Sequence, residues 1–296
     1  MIYTEQKLQQ WTTPLSSTEE QRAENTIRMI RSVVASDNEL KNMDVEVFLQ
    51  GSYANNTNVR TESDVDVCIM LQDSFHCVYP EGGKDEDYGY ISSDYTFTEY
   101  RDMIKKAIER KFGKAVVRDG NKSIKIQENT YHVQADIVPC FQLRNYFYDN
   151  SKDPAVFREG IWFVAKDNTR ISNYPKIHRS NGITKNNRTN YRYKKLIRIM
   201  KHIKNEMVDK QITDGNIISS YLVECLIWNV PDKIITGYNT WTETIYQTLL
   251  FLLSSIVHEK HTEWGEVSEM LYLFRDRRWN DELVKIWLEK TWGYLE

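Results

Sequence analysis

The sequence predicts an α+β protein with a helical C-terminal domain, and three observations carry that expectation. Short alternating or β-branched runs cluster in the first half of the chain. Beyond about residue 185, 3.6-residue periodicity takes over and continues to the end. No internal repeat or low-complexity tract interrupts either half. The expected organisation is therefore an α+β domain over residues 1–185, whose N-terminal helix is placed to pack on either lobe, followed by a helical domain over 186–296.

In the first half, "SSTEEQRAENTIRMIRSVVAS" (16–36) opens on a Ser/Thr cap with early glutamates and places Ile27, Ile30, Val33 and Val34 on one stripe, an amphipathic helix. "DVEVFLQ" (44–50) and "SDVDVCIML" (63–71) read as strands. Residues 73–95, with Gly82, Gly83 and "KDEDYG", read as a long polar insertion, followed by a helix at about 96–112. Three more strands are expected at 114–119, 122–128 and 131–141, the first two joined by the Asp-Gly of "RDGNK" as a hairpin. Helices are expected at 188–208, 217–229, 241–260, 264–275 and 280–295. "SNGITKNNRTNYRYKK" (180–195) fits either a nucleotide-facing or a flexible loop.

Bulk properties narrow the function. At 296 residues, 41% hydrophobic and 12% aromatic, the composition is that of a globular enzyme. A net charge of −3 excludes the overall basic character of a protein that coats nucleic acid. Cys68, Cys77, Cys140 and Cys225 are widely spaced without a C-x-x-C pair, which argues against a zinc ribbon or a disulfide framework and suits the cytoplasm. No signal peptide is expected, and "LLFLLSSIV" (249–257) is too short for a membrane span.

The chemistry concentrates in "GSYANNTNVRTESDVDVCIML" (51–71). Alternate strand residues share a face, so Asp64 and Asp66 project together while Val65, Val67 and Ile69 turn into the core. Two adjacent carboxylates call for a hard cation such as Mg²⁺, and a pair of such ions activates a hydroxyl and stabilises a leaving phosphate. "YHVQADIVPCF" offers a third carboxylate, Asp136, the single acid in that strand; taken alone it would be a surface charge. Gly51-Ser52 directly after a strand is suited to cradling a phosphate with backbone N–H groups and a hydroxyl. The second D-x-D, Asp85 and Asp87, lies in a loop-like context, and "HEKH" (258–261) lacks zinc-protease spacing and reads as surface.

This pattern, Gly51-Ser52, then Asp64-Val65-Asp66, then a distal Asp136, resembles the DNA polymerase β-like nucleotidyltransferase superfamily. The helical half looks like its cyclic GMP–AMP synthase-related branch, especially the bacterial cyclic-oligonucleotide synthases of antiphage systems. The residues that carry this are "RYKKLIRIMKHIKNEM" (192–207) followed by "ISSYLVECLIWNVPD" (218–232). In the first segment Leu196, Ile197, Met200, Ile203 and Met207 form the buried stripe, with Lys194, Lys195, Arg198 and Lys201 off it.

The resemblance implies a polymerase β-like core packed on a helical domain, with Asp64, Asp66 and Asp136 as catalytic and metal-binding residues for two Mg²⁺ ions, Mn²⁺ substituting. It implies nucleotide contacts from Gly51, Ser52, Lys201 and Ser220, and stacking of a base on Tyr221. The implied reaction makes a cyclic dinucleotide or oligonucleotide from NTPs, ATP among them, with release of pyrophosphate, for a downstream effector. The chain has no His/Cys cluster like the zinc insertion of the animal DNA-sensing member, so no DNA activation is expected. A cytoplasmic monomer without membrane association is expected. A linear nucleotidyltransferase (oligoadenylate synthase-like, RNA-tailing or small-molecule-modifying) and a silent nucleotide- or RNA-binding module remain the alternatives.

Overall fold

The computed structural model describes residues 1–14, 16–59, 64–91, 95–128, 134–147, 152–275 and 279–296. In chain order the elements are α1 (Glu5–Trp11), α2 (Ser17–Ser36), β1 (Val45–Leu49), α3 (Gly51–Asn55), β2 (Val65–Val78), α4 (Phe97–Phe112), β3 (Val117–Asp119), β4 (Ile124–Ile126), β5 (Ala135–Asn145), β6 (Arg158–Val164) and β7 (Arg170–Asn173). The helices α5 (Pro175–Arg188), α6 (Arg192–Asp209), α7 (Ser220–Trp228), α8 (Asp232–Thr236), α9 (Trp241–Val257) and α10 (Asp281–Leu295) follow. Two compact units emerge: one of residues 16–54 and 63–177, the other of 1–15, 55–62 and 178–296. The architecture is α+β, as the sequence indicates.

The first unit is built on a seven-stranded mixed sheet ordered β1-β2-β5-β4-β3, with β6 on the far half of β5 and β7 outside it. Only β2 and β5 run parallel; the other pairs are antiparallel. Val65, Val67, Ile69, Ala135 and Ile137 are fully buried, in one core cluster with Ile30 of α2 and Ile104 of α4. Each such side chain contributes roughly 1.5–3 kcal/mol of transfer free energy. Both helices start on capping boxes, Ser16 with Glu19 and Thr96 with Glu99, which satisfy N–H groups that the first turn leaves open.

β2 and β5 both run past the apolar stretches that announce them. β2 continues to Val78 alongside Asn145, with a register shift between Leu71 and Phe75, so residues 73–78 are strand and not insertion. Phe75, His76 and Cys77 of that extension face the Gln142–Arg144 stretch of β5, which supplies the hydrogen bonds that polar sequence alone conceals. Gly120 N–H bonds Ser123 O at 2.9 Å and closes the expected hairpin, although residues 114–116 form a 3₁₀ turn instead of strand. The expected strand residues 131–133 lie outside the described residues.

The second unit buries Leu196, Ile197, Met200, Ile203 and Met207 of α6 against Leu222, Leu226, Leu249, Leu252 and Trp287. Residues 175–188 are helix, so 180–188 of the stretch expected as loop are helical. The expected helix 264–275 is absent among the described residues: Gly265 and Tyr272 form an isolated antiparallel bridge, and Glu269 adopts φ +58°. The cause is tertiary. The Asn229 side-chain amide donates to Gly265 O at 2.9 Å and accepts from Gly265 N–H at 3.2 Å, so both backbone groups are satisfied without a helix. "HEKH" divides as well: His258 is exposed, but His261 is buried, its Nε2 3.0 Å from Asp281, because the N-terminus of α10 offers it a carboxylate. Among the described residues no helix is long and apolar enough to cross a membrane.

Candidate active site

In the sheet unit the predicted carboxylates come together by register. Asp66 of β2 pairs directly with Asp136 of β5, and Lys125 of β4 pairs with Asp136 from the other side, so Asp66, Asp136 and Lys125 form one rung across three strands. The flanking residues Val65, Val67, Ala135, Ile137, Ile124 and Ile126 are buried on the opposite face, which leaves the charged rung on the polar face. Asp64 lies two residues before Asp66 and shares its face.

Gly51 opens α3 at φ +66°, and a Cβ there would sit 2.2 Å from Asp66 Oδ2. The carboxylate occupies the space that any other residue's side chain needs. That contact binds the Gly-Ser turn to the D-x-D strand physically, beyond their spacing in the sequence. Ser52 follows in the same turn, half-buried.

The oxygens of Asp136 are unequal. Oδ2 accepts a hydrogen bond from Ser123 Oγ at 3.1 Å and lies 3.2 Å from Lys125 Nζ, which is also 4.0 Å from Asp64 Oδ2. Oδ1 is buried with no hydrogen-bond partner among the described residues. Neither Ser123 nor Lys125 stood out in the sequence, where they are ordinary residues of "KSIKIQE"; only cross-strand register could have singled them out.

The donors suit Mg²⁺, which takes oxygen ligands: three carboxylates on one face, one with an orphaned buried oxygen. As they stand, with the Lys125 ammonium among them, no group of three His, Cys, Asp or Glu residues among those described closes around a point as a metal cage. Asp64, Asp66 and Asp136 are the residues whose chemistry could hold such an ion.

The hairpin that carries Ser123 and Lys125 is clamped from below. Arg101 of α4 donates at 2.8 Å both to Asp119 Oδ1 and to Gly120 O, while Lys105 and Lys166 reach Asp119 Oδ2 at 3.1 and 2.9 Å. Burial alone would raise the Asp119 carboxyl, but the three cations outweigh it and hold it at about 2.

In the helical unit the predicted residues have different surroundings. Lys201 is fully buried, and its Nζ lies 2.8 Å from Glu224 Oε1. Arg198 is buried too, donating to Thr12 O at 2.8 Å and Asn56 O at 2.6 Å, and burial lowers its pKa to about 10. Both depart from the polar face that helical periodicity gives them, because each has an internal acceptor. Glu224 also accepts from Thr57 Oγ1 at 2.5 Å and meets His178 Nε2 at 3.2 Å. Burial pushes its carboxyl up, but Lys201 and His178 win and it ends well below the usual carboxylate range.

Lys204, one turn on from Lys201, donates to Ser220 Oγ at 2.7 Å. Tyr221 donates to Glu266 Oε2 at 2.6 Å, with its ring 5.7 Å from that of His178. Lys204, Glu224 and Thr57 escaped the sequence reading because no spacing marks them; Glu224 sits one helical turn after Ser220-Tyr221 and was legible only as a charge in an apolar helix.

Comparison with known proteins identifies the family. Residues 5–157 match the "Second Messenger Oligonucleotide or Dinucleotide Synthetase domain", and residues 180–296 the "cGAS/DncV-like nucleotidyltransferase C-terminal helical domain". The chain belongs to the CD-NTase family. It is thus a nucleotidyltransferase that synthesises cyclic di- or oligonucleotides. It is similar to the cyclic dipyrimidine nucleotide synthase CdnE of Cecembia lonarensis, at 39% identity over 99% of both chains. It is also similar to the cyclic GMP-AMP synthase CdnE03 of Staphylococcus schleiferi, at 34% over 100% of this chain and 98% of that one. Among solved CD-NTases, the Rhodothermus marinus c-UMP-AMP synthase with Apcpp and Upnpp superposes with a TM-score of 0.86 at 29% identity, covering 99% and 96% of the two chains. The Elizabethkingia meningoseptica synthase with GTP and Apcpp gives 0.82 at 30%, covering 99% of each.

Proposed function

We propose that this CD-NTase joins two NTPs into a cyclic dinucleotide in a Mg²⁺-dependent reaction centred on Asp64, Asp66 and Asp136. The observation that supports this most directly is the pairing of Asp66 with Asp136 on adjacent parallel strands, with Gly51 packed under Asp66. A ribose hydroxyl of one nucleotide attacks the α-phosphorus of the other; the new P–O bond forms as the bond to pyrophosphate breaks. The linear product rebinds and closes by a second transfer of the same kind. Bound at the three carboxylates, Mg²⁺ would supply charge stabilisation at the phosphoryl oxygens and a more acidic hydroxyl.

The residues have separate tasks. Asp136 receives the attacking hydroxyl's hydrogen bond at its carboxylate. Gly51 and Ser52 offer backbone N–H groups and a hydroxyl to the triphosphate. In the helical unit Ser220 and Lys204 are assigned to the phosphates and Tyr221 to base stacking. Lys201, expected at the phosphates, is buried with its ammonium on Glu224.

Relatives named for dipyrimidine, GMP-AMP, dipurine and UMP-AMP products align with at least 82% of this chain, so base choice is assigned to individual side chains. We assign the product to second-messenger signalling in bacterial antiphage defence, read by a separate effector, with synthesis by a cytoplasmic monomer that needs no DNA. The match to a second-messenger synthetase domain supports the signalling half of that assignment.

The test is chromatography and mass spectrometry of products from mixed NTPs with Mg²⁺. A phosphatase-resistant ring is expected, and Asp66→Asn and Asp136→Asn each lower its yield by at least about a hundredfold. A ladder of linear products, a modified acceptor, or undiminished pyrophosphate release from Asp64→Ala/Asp66→Ala protein would refute the proposal.

A further inference from the structure

The third carboxylate is held by partners outside the predicted site. Asp136 Oδ2 takes both the Ser123 hydroxyl at 3.1 Å and the Lys125 ammonium at 3.2 Å, whereas Oδ1 takes no hydrogen bond among the described residues. An aspartate's terminal torsion is broad and two-fold, so a carboxylate with equivalent oxygens swings freely. Two donors on one oxygen remove that freedom and fix the plane of the carboxylate. Both donors come from a single rigid source: Ser123 and Lys125 are alternate residues of the hairpin clamped by Arg101, Lys105 and Lys166. Lys125 also stands directly opposite Asp136 in the ladder and is 43% exposed at its side chain, so its exposed charge is spent on aiming more than on stability.

We infer that Ser123 and Lys125 are positioning residues that fix the orientation of the Asp136 carboxylate toward the reacting atoms. The inference rests on the carboxylate reading above and adds to it a mechanism by which β4 governs turnover. A group that only aims an oxygen acts on the transition state and leaves ground-state nucleotide binding alone. Removing the Lys125 charge also takes a competing cation from beside Asp136 and Asp64, so a divalent ion should bind there at least as tightly.

The full-length chain is compared with Ser123→Ala, Lys125→Met, Lys125→Arg and Asp136→Asn by steady-state kinetics, by thermal melting, and by electron paramagnetic resonance of free Mn²⁺ without nucleotide. Ser123→Ala and Lys125→Met should lower kcat about 10- to 100-fold, the range for groups that orient a ligand. NTP KM should stay within about twofold, and Lys125→Arg should recover most of kcat. Melting temperatures should be unchanged, and Lys125→Met should bind Mn²⁺ no more weakly than the parent. A raised KM at constant kcat would make Lys125 a substrate contact and overturn the inference. Unchanged kcat overturns it too, as does a melting temperature that falls with kcat while Lys125→Arg fails to rescue. Asp136→Asn with parental turnover would instead remove the carboxylate reading itself.

Discussion

Gly51 and Glu224 show how much function one residue's surroundings settle. Gly51 combines a left-handed φ of +66° with a Cβ position 2.2 Å from Asp66 Oδ2. Gly51→Ala therefore adds roughly 1–2 kcal/mol of backbone strain and must displace the carboxylate. Since about 1 Å of misplacement can cost on the order of a hundredfold in rate, kcat should fall by about that much, with a modest drop in melting temperature. Wild-type kcat in that variant would detach the turn from the site. Glu224, with its carboxyl depressed by Lys201 and His178, makes an opposite kind of prediction. Above about pH 5 folded and unfolded chains both carry it ionised, and its stabilisation is complete. As pH falls through roughly 4.3 the unfolded chain takes up the proton first, and the stabilisation is lost progressively toward the lower folded pKa. Glu224→Gln leaves Lys201 buried without its counter-charge, a loss of about 3–5 kcal/mol at neutral pH. Melting curves from about pH 7 to pH 4 should then fall less steeply for the variant than for the parent; parallel curves would show that the ion pair does not form.

At the scale of elements, the helices with side-chain punctuation were legible. Ser16-Glu19 and Thr96-Glu99 fix the starts of α2 and α4 within a residue of expectation, because a capping box is local chemistry. Thr96→Ala should cost about 1 kcal/mol in urea unfolding, and a null effect would mean that α4 is held by packing alone. Strands were harder. β6, "REGIWFV", alternates poorly because Ile161 and its neighbour Gly160 are both buried, and four-residue β7 carries little pattern of its own. β2 outran its apolar stretch because β5 lies beside it, and residues 264–275, apolar at helical spacing, were drawn out of helix by Asn229. In each case the deciding hydrogen-bond partner is remote in sequence.

For the whole molecule, the two compact units have separate cores, one around the β2–β5 pair and one around α6, α7, α9 and α10. The composition of each core follows from its own periodicity, period two in the sheet and 3.6 in the helices. Full-length similarity to synthases named for different products shows that this framework is held in common while base selection varies. A product assay with each NTP pair therefore reads out side chains that the framework merely carries.

By itself the sequence determined the α+β class, because alternation and capping act over a few residues, and its motif spacing marked the three aspartates and the Gly-Ser pair as the candidate site. Only the tertiary structure decided that Asp66 and Asp136 share a rung, that Ser123 and Lys125 bond the third carboxylate, and that Lys201 lies buried on Glu224. Those are cross-strand and cross-helix meetings. Their energy depends on distance and burial, which chain order does not encode residue by residue.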